Sequence, residues 1–193
     1  MSTQSCVLLV LGAGLSRRFG EDDKLDALLD DRHLAQHVLH IVTTLRWQQK
    51  RVVSRLKGAW HEAYDQAGFQ RLINPNPERG LGSSLALGIT GLAPQARVLI
   101  CLADMPFITP AHLMELCAAS EAEPHLVFAT SAPSYRGPPA VFPVDSLLKL
   151  SPEGEMGARS LIRTAQLLSC PTHETIDIDD AANLKAAMQA IRK

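Results

Sequence analysis

Short continuous apolar runs alternate along this chain with longer stretches whose apolar residues recur at helical spacing. Cys6 to Leu11 (CVLLVL) is apolar throughout, as a strand buried on both faces of a parallel sheet would be. A helical stretch near Leu34 to Leu45 follows, then a strand at Arg51 to Leu56, a helix around Trp60 to Ala67 and a strand at Leu72 to Asn74. The pattern continues with a helix from Ser83 to Leu92, the strand Arg97 to Leu102, a helix from Pro110 to Ala119 and a strand at Leu126 to Ala129. A segment from Pro138 to Pro143, a helix near Ala158 to Thr164, a strand at Glu174 to Ile178 and a closing helix complete the chain. Strands separated by helices are the βαβ rhythm, which predicts an α/β fold with a mostly parallel sheet between helical layers.

Several boundaries carry their own chemistry. Thr109 before Pro110 is an N-cap followed by a proline at the first helical position. Asp180 is placed to cap the last helix, to which Leu184, Met188 and Ile191 give a buried face. Ser83 and Ser84 read as a serine-capped helix start after the turn-rich Asn74-Pro75-Asn76-Pro77.

The first strand runs into Leu11-Gly12-Ala13-Gly14-Leu15-Ser16-Arg17-Arg18-Phe19-Gly20, with Lys24 beyond. Glycine without a Cβ lets the backbone turn sharply and bring its N–H donors to an anion. Arg18 and Lys24 add a planar fork and a mobile ammonium, both suited to oxyanions. The loop is no Walker A motif, because the position five after Gly12 or Gly14 is Arg17 or Phe19 rather than glycine. A dinucleotide fingerprint starting at Gly12 needs glycine or alanine where Arg17 stands, which disfavours an oxidoreductase. An ordinary strand-to-helix turn with solvated arginines remains open.

Two acidic positions belong with this loop. Asp104 ends the run Val98-Leu99-Ile100-Cys101-Leu102, so the sheet delivers its carboxylate to the edge where ligands bind in open α/β folds. A hard cation such as Mg2+ prefers one or two carboxylates completed by phosphate oxygens and water. In Asp177-Ile178-Asp179-Asp180, alternation along a strand would put Asp177 and Asp179 side by side, where they repel without a cation or donor. Turn-capping roles remain open for both groups.

The remaining signals exclude more than they add. With 193 residues and 46% apolar side chains, the chain suits a single domain over 1–193. Nineteen basic against twenty acidic side chains give a net charge of -1, so no global field draws it to nucleic acid or an anionic membrane. The basic stretch Arg46 to Lys57 reads as a solvated helix end and strand edge. Cys6, Cys101, Cys117 and Cys170 form no C-x-x-C pair, and the apolar start lacks a cationic leader, so reduced thiols and a cytoplasmic location are expected. His33, His37 and His40 share a helix face but lack a neighbouring acid or cysteine, and read as its polar boundary rather than as metal ligands.

The first loop, Leu-Gly-Ala-Gly-Leu-Ser-Arg-Arg-Phe-Gly-x3-Lys-Leu, resembles the L-x-A-G-x-S-x-R-x-G-x(2,3)-K-L signature of nucleotidyltransferases that act on molybdopterin cofactors, most closely the molybdenum cofactor cytidylyltransferases. The resemblance extends over nearly the whole chain and implies a three-layer α/β/α, Rossmann-like fold with a mostly parallel mixed sheet, as in nucleotide-diphospho-sugar transferases. It implies triphosphate binding by Leu11, Gly12, Ala13, Gly14, Ser16, Arg18 and Lys24. Asp104, in Leu102-Ala103-Asp104-Met105-Pro106, resembles the metal-holding aspartate of G-D-M-P, and Asp177 to Leu184 resembles D-I-D-T-P-x-D-L, giving Asp177 and Asp179 as further Mg2+ ligands with Asp177 favoured as the closer. Asn74, Pro75, Gly80, Ser84 and Leu85 match N-P-x(3)-G-x-x-x-S-L, whose Asn74, Gly80 and Ser84 would border the nucleobase.

On the acceptor side, Arg136-Gly137-Pro138-Pro139 resembles R-G-H-P with Pro138 replacing the histidine, and Gly154-Glu155-Met156-Gly157-Ala158-Arg159 resembles G-D-x-G-A-R. Arg136 and Arg159 would meet an acceptor phosphate or stand as plain surface charges. Alanine at position 13, where guanylyl-transferring relatives usually carry glycine, points to CTP over GTP. The implied activity is Mg2+-dependent transfer of CMP to a molybdopterin-type cofactor, with catalytic roles for Arg18, Lys24 and Asp104. A molybdoenzyme or its chaperone is the implied partner. A transferase for another phosphorylated acceptor and a non-catalytic delivery protein are the alternatives.

Overall fold

The computed structural model describes residues 3, 5–16, 19, 23–151 and 158–191. Strand β1 (Cys6–Gly12) is buried along its whole length at the centre of the sheet. It pairs in parallel with β4 (Gln49–Ser54) on one side and β6 (Arg97–Leu102) on the other. Outside β4 lies β5 (Gln70–Ile73), also parallel. Beyond β6 come β8 (Tyr135–Pro143), antiparallel to both neighbours, then β7 (Phe128–Ala132) and β9 (Gln166–Ser169). The seven strands are ordered β5-β4-β1-β6-β8-β7-β9, a mixed sheet in which β8 alone runs against the rest. A separate hairpin joins β2 (Leu28–Leu29) and β3 (Arg32–His33). Its turn residues Asp30 and Asp31 have φ of 50° and 59°, as a two-residue hairpin with the twist of its strands requires.

Alternation along β1 divides the interior into two cores. Cys6, Leu8 and Val10 pack with residues of α1 (Leu34–Thr43), α2 (His61–Gln66), α4 (Pro110–Ala122) and α7 (Ala181–Ile191). Val7, Leu9 and Leu11 pack on the opposite face with α3 (Leu81–Ile89), α5 (Val144–Leu147) and Ala158, which precedes α6 (Arg159–Ile162). The result is the expected three-layer α/β/α arrangement. Leu8 and Leu9 are fully buried, each worth about 1.5–3 kcal/mol in surface removed from water. Among the described residues no helix is long and apolar enough to cross a membrane. Cys6, Cys101, Cys117 and Cys170 are free thiols.

Two helix starts follow the expected chemistry. Thr109 Oγ1 accepts from the His112 amide at 3.3 Å, and Asp180 Oδ1 accepts from the Asn183 amide at 2.7 Å. Other expectations need correction. The third helix begins at Leu81, with Gly80 as its N-cap and no capping side chain, so Ser83 and Ser84 fall inside the helix and turn their hydroxyls toward Asn74. The strand expected at Glu174 to Ile178 is absent. Residues Thr172–Thr175 form a 3-10 turn after Pro171, and tertiary contacts described below claim the segment. Strand β9 arises instead from Gln166–Ser169, an edge segment of mostly exposed residues with no apolar run to announce it.

Arg51, read as solvated, is only 6% exposed and donates to the carbonyls of Gly88 and Thr90 at 2.9 and 2.8 Å, satisfying the end of α3. The histidines of α1 bind backbone, as their boundary reading allows. His33 Nδ1 lies 2.6 Å from the Asp26 carbonyl and His37 Nε2 2.7 Å from that of Leu29.

Candidate functional site

The carboxyl ends of β1 and β6 open on a cleft of about 390 Å³. Residues 11–16 form one wall, and Pro77, Gly80, Leu81 and Ser84 form another. Lys24, Asp104 and Asp179 contribute its charged side chains.

The two loop glycines have different reasons to be glycine. A Cβ on Gly12 would stand 3.0 Å from the Trp60 ring and 3.2 Å from Leu25 Cδ1, so Gly12 lets a buried indole lie directly beneath the loop. A Cβ on Gly14 would meet nothing within 4 Å, because Gly14 faces open space in the cleft wall. At the far end of the turn Ser16 has φ 51°, a left-handed conformation held by its surroundings. Its hydroxyl donates to Asp23 Oδ1 at 3.3 Å and accepts from the Lys24 amide at 3.4 Å. The same Asp23 oxygen accepts from the Leu25 amide at 3.1 Å, capping the 3-10 turn Lys24–Asp26, while Oδ2 is paired with Arg55 just beyond β4. This clamp aims Lys24 into the cleft. The pairing of Asp23 with Arg55 is invisible in the sequence, where Asp23 is an ordinary loop charge and Arg55 falls in the basic stretch read as solvated.

Lys24 is 8% exposed and bridges two carboxylates, with Nζ 2.6 Å from Asp104 Oδ2 and 2.8 Å from Asp179 Oδ1. Burial pushes its ammonium down, but the Asp104 charge and the hydrogen bonds to Asp104 and Asp179 outweigh that and hold it above the usual lysine range. The other Asp104 oxygen, Oδ1, is buried without a hydrogen-bond partner. Asp177 is pushed up by burial and by the charges of Asp179 and Asp104.

The acids meet because the C-terminal segment straps across the loop after β6. The Ile178 amide donates to the Asp104 carbonyl at 3.0 Å, and Ile178 itself is fully buried. Glu174 Oε2 accepts from the Thr109 amide at 3.2 Å and from its hydroxyl at 2.9 Å, anchoring the 3-10 turn on the start of α4. Tyr135, a residue unmarked by any motif, buttresses the same place. Its hydroxyl donates to the Pro138 carbonyl at 2.5 Å and lies 3.7 Å from Met105 Sδ, and it is pushed up by burial and by the charges of Asp177 and Asp104. Gly137 leaves room for that hydroxyl, since a Cβ there would stand 2.7 Å from it.

The cleft therefore gathers Leu11, Gly12, Ala13, Gly14, Ser16, Lys24, Gly80, Ser84, Asp104 and Asp179 from the sequence-derived set. Leu15, Leu25, Pro77, Leu81 and Leu102 join them as lining residues with no polar signature. Asn74 lies behind the wall rather than in it: its amide donates to Ser83 Oγ at 2.9 Å and Ser84 Oγ at 3.0 Å, fixing the start of α3. Asp177 is not a lining residue, and exposed Arg136 and Arg159 stand outside the cleft. Arg18 and the Gly154 to Gly157 part of the last motif lie outside the described residues. Among the described residues no three His, Cys, Asp or Glu side chains form a metal cluster. Two carboxylates suffice for a magnesium site that phosphate oxygens complete.

Residues 8–170 match the MobA-like NTP transferase domain. No curated protein matches the chain. Among solved structures, a nucleotidyl transferase from Methanothermobacter thermautotroptrophicus superposes with a TM-score of 0.78 at 17% identity, covering 97% of this chain and 98% of that one. The 4-diphosphocytidyl-2C-methyl-D-erythritol synthase from Anaerococcus prevotii gives 0.77 at 11% identity over 99% and 97%. Molybdopterin-guanine dinucleotide biosynthesis protein A from Archaeoglobus fulgidus gives 0.72 at 16% over 96% and 98%. These likenesses carry the fold. The match over residues 8–170 carries the chemistry: the chain belongs to the MobA-like NTP transferase family, the nucleotidyltransferases.

Proposed function

We propose that this protein transfers CMP from CTP to the phosphate of a molybdopterin-type cofactor and releases pyrophosphate. The observation that carries the proposal is the meeting of Lys24 and Asp104, 2.6 Å apart, on the cleft rim beside the glycine loop. In this reading the backbone of Gly12 to Ser16 and the Lys24 ammonium hold the polyphosphate, with Arg18 as a second cation. The base rests against Pro77, Gly80, Leu81 and Ser84. An acceptor phosphate oxygen, brought in by Arg136 and Arg159, attacks the α-phosphorus in line. The new P–O bond forms as the bond to the β-phosphate oxygen breaks, and the electron pair leaves with pyrophosphate. No side chain is covalently modified, so the protein acts by positioning and by neutralising charge.

The carboxylates suit a hard divalent cation. Asp104 Oδ1 is a buried acceptor with no donor, Asp179 lies across Lys24 from it, and Asp177 feels the negative charge of both, which pushes its carboxyl up. Asp104 and Asp179 would hold Mg2+, with Asp177 supporting. When bound, the ion would withdraw charge from the phosphate oxygens and orient them.

The preference for CTP rests on Ala13 in the first loop, which follows the cytidylyl rather than the guanylyl pattern. Incubating the protein with Mg2+, the cofactor and each nucleoside triphosphate should release pyrophosphate with CTP. Release with GTP alone would reverse the base, and release with none would end the reading.

A further inference from the structure

The cation subsite is already occupied in part by the protein itself. Lys24 Nζ bonds the carboxylates of both Asp104 and Asp179, and the side chain is almost fully enclosed. Asp104 Oδ1 is left without a donor, but a divalent ion placed on it would share one carboxylate with the ammonium, and two cations that close repel strongly in an enclosed site. Nor can the lysine simply retreat, since a buried charge stripped of its partners is strongly destabilising unless another anion receives it. In the proposed reaction the anion that would receive it is a polyphosphate against residues 12–16, the wall that adjoins Lys24.

We propose that Lys24 is a resident counter-cation that makes metal loading conditional on nucleotide: it leaves the carboxylates for the incoming phosphates as the divalent ion takes its place. The inference rests on the reading of Asp104 and Asp179 as metal ligands. It has two consequences. Without nucleotide, divalent metal binds weakly even though the carboxylates are already assembled. Metal and polyphosphate also reinforce each other's binding to the protein, a coupling that is reciprocal.

The test is nucleotide-free binding of Mn2+, followed by electron paramagnetic resonance, in the wild type and in Lys24→Met, Lys57→Met, Asp104→Asn and the double variant Lys24→Met/Asp104→Asn. Lys57 is an exposed cation just beyond β4, so its loss gives the same change in net charge. Lys24→Met should tighten Mn2+ binding by about tenfold or more. Lys57→Met should stay within about twofold of wild type. The double variant should lose the gain. Equal affinity in Lys24→Met and wild type, or an equal gain in Lys57→Met, would overturn the exchange. A gain in Lys24→Met that survives Asp104→Asn would instead defeat the assignment of the carboxylates as ligands.

If Lys24→Met does not fold, the wild type carries the test through reductive methylation read by mass spectrometry. Mn2+ at concentrations shown to be bound should raise modification of Lys24 at least about threefold, because the displaced amine meets solvent. Unchanged modification with metal bound would overturn the proposal.

Discussion

On the β1 side of the cleft the walls are backbone and buried charge, each part held by another. Gly12 lies on Trp60, Ser16 is fixed by Asp23, Asp23 by Arg55, and Lys24 by two carboxylates. On the β8 side the arginines of interest, Arg136 and Arg159, are exposed and outside the cleft, and the order there comes from buttresses such as Tyr135 on Pro138. In the proposed function the first side is built for a ligand common to all nucleotide donors, and the second would present the surface on which one acceptor or another is selected. A triphosphate has the same shape in every reaction of this kind, so its site repays rigid construction, whereas the acceptor differs between reactions.

The largest effect that separates the two sides should come from Asp104. Asp104→Asn keeps the shape but removes the charge, and pyrophosphate release should fall by about 10²–10³-fold with the fold intact by circular dichroism. A fall of less than tenfold would mean that this carboxylate is not at the reacting phosphates. The loop glycines offer a stability contrast. Gly12→Ala drives a methyl into the Trp60 ring and should cost about 1–3 kcal/mol in thermal or denaturant unfolding. Gly14→Ala, facing open space, should cost much less. Equal costs would show that the loop does not rest on the indole.

Smaller effects should appear on the β8 side. Arg136→Ala and Arg159→Ala should each raise KM for the acceptor by about fivefold or less while leaving KM for CTP unchanged, because an exposed charge contributes about 1 kcal/mol at most. A raised KM for CTP would place the arginines on the wrong substrate. The smallest effect concerns Asp177. Its carboxyl is pushed up in the folded protein, so folding favours the protonated form, and stability falls as pH rises from the ordinary carboxylate range through the folded value. In metal-free protein Asp177→Asn should therefore be slightly more stable than wild type at neutral pH, by less than about 1 kcal/mol after solvent screening, and no different in acid below the ordinary carboxylate range. Melting temperatures across pH check the sign.

Legibility in the sequence follows the same divide. The run from Cys6 to Leu11, the glycines after it and Asp104 at the end of β6 are local signals, and both edges meet because β1 and β6 pair in parallel. Nothing local marks Tyr135, the pairing of Arg55 or the 3-10 turn from Thr172 to Thr175. Glu174 looks like a strand residue until Thr109 supplies the donors that hold it in a 3-10 turn. Gln166–Ser169 becomes a strand only because β7 offers it an edge. Even the serines of α3 were ambiguous: hydroxyls beside a turn suit a cap, and Asn74, drawn from the preceding loop, takes them instead. Contacts made only in the folded chain decided these cases, and composition or periodicity carries no trace of them.

The most direct test of the account is a crystal structure of the protein with CTP and Mn2+, with the metal located by anomalous scattering. The account predicts phosphates against the backbone of Gly12 to Ser16 and a manganese peak on the carboxylates of Asp104 and Asp179. A nucleotide bound elsewhere, or a metal peak away from both aspartates, would contradict it.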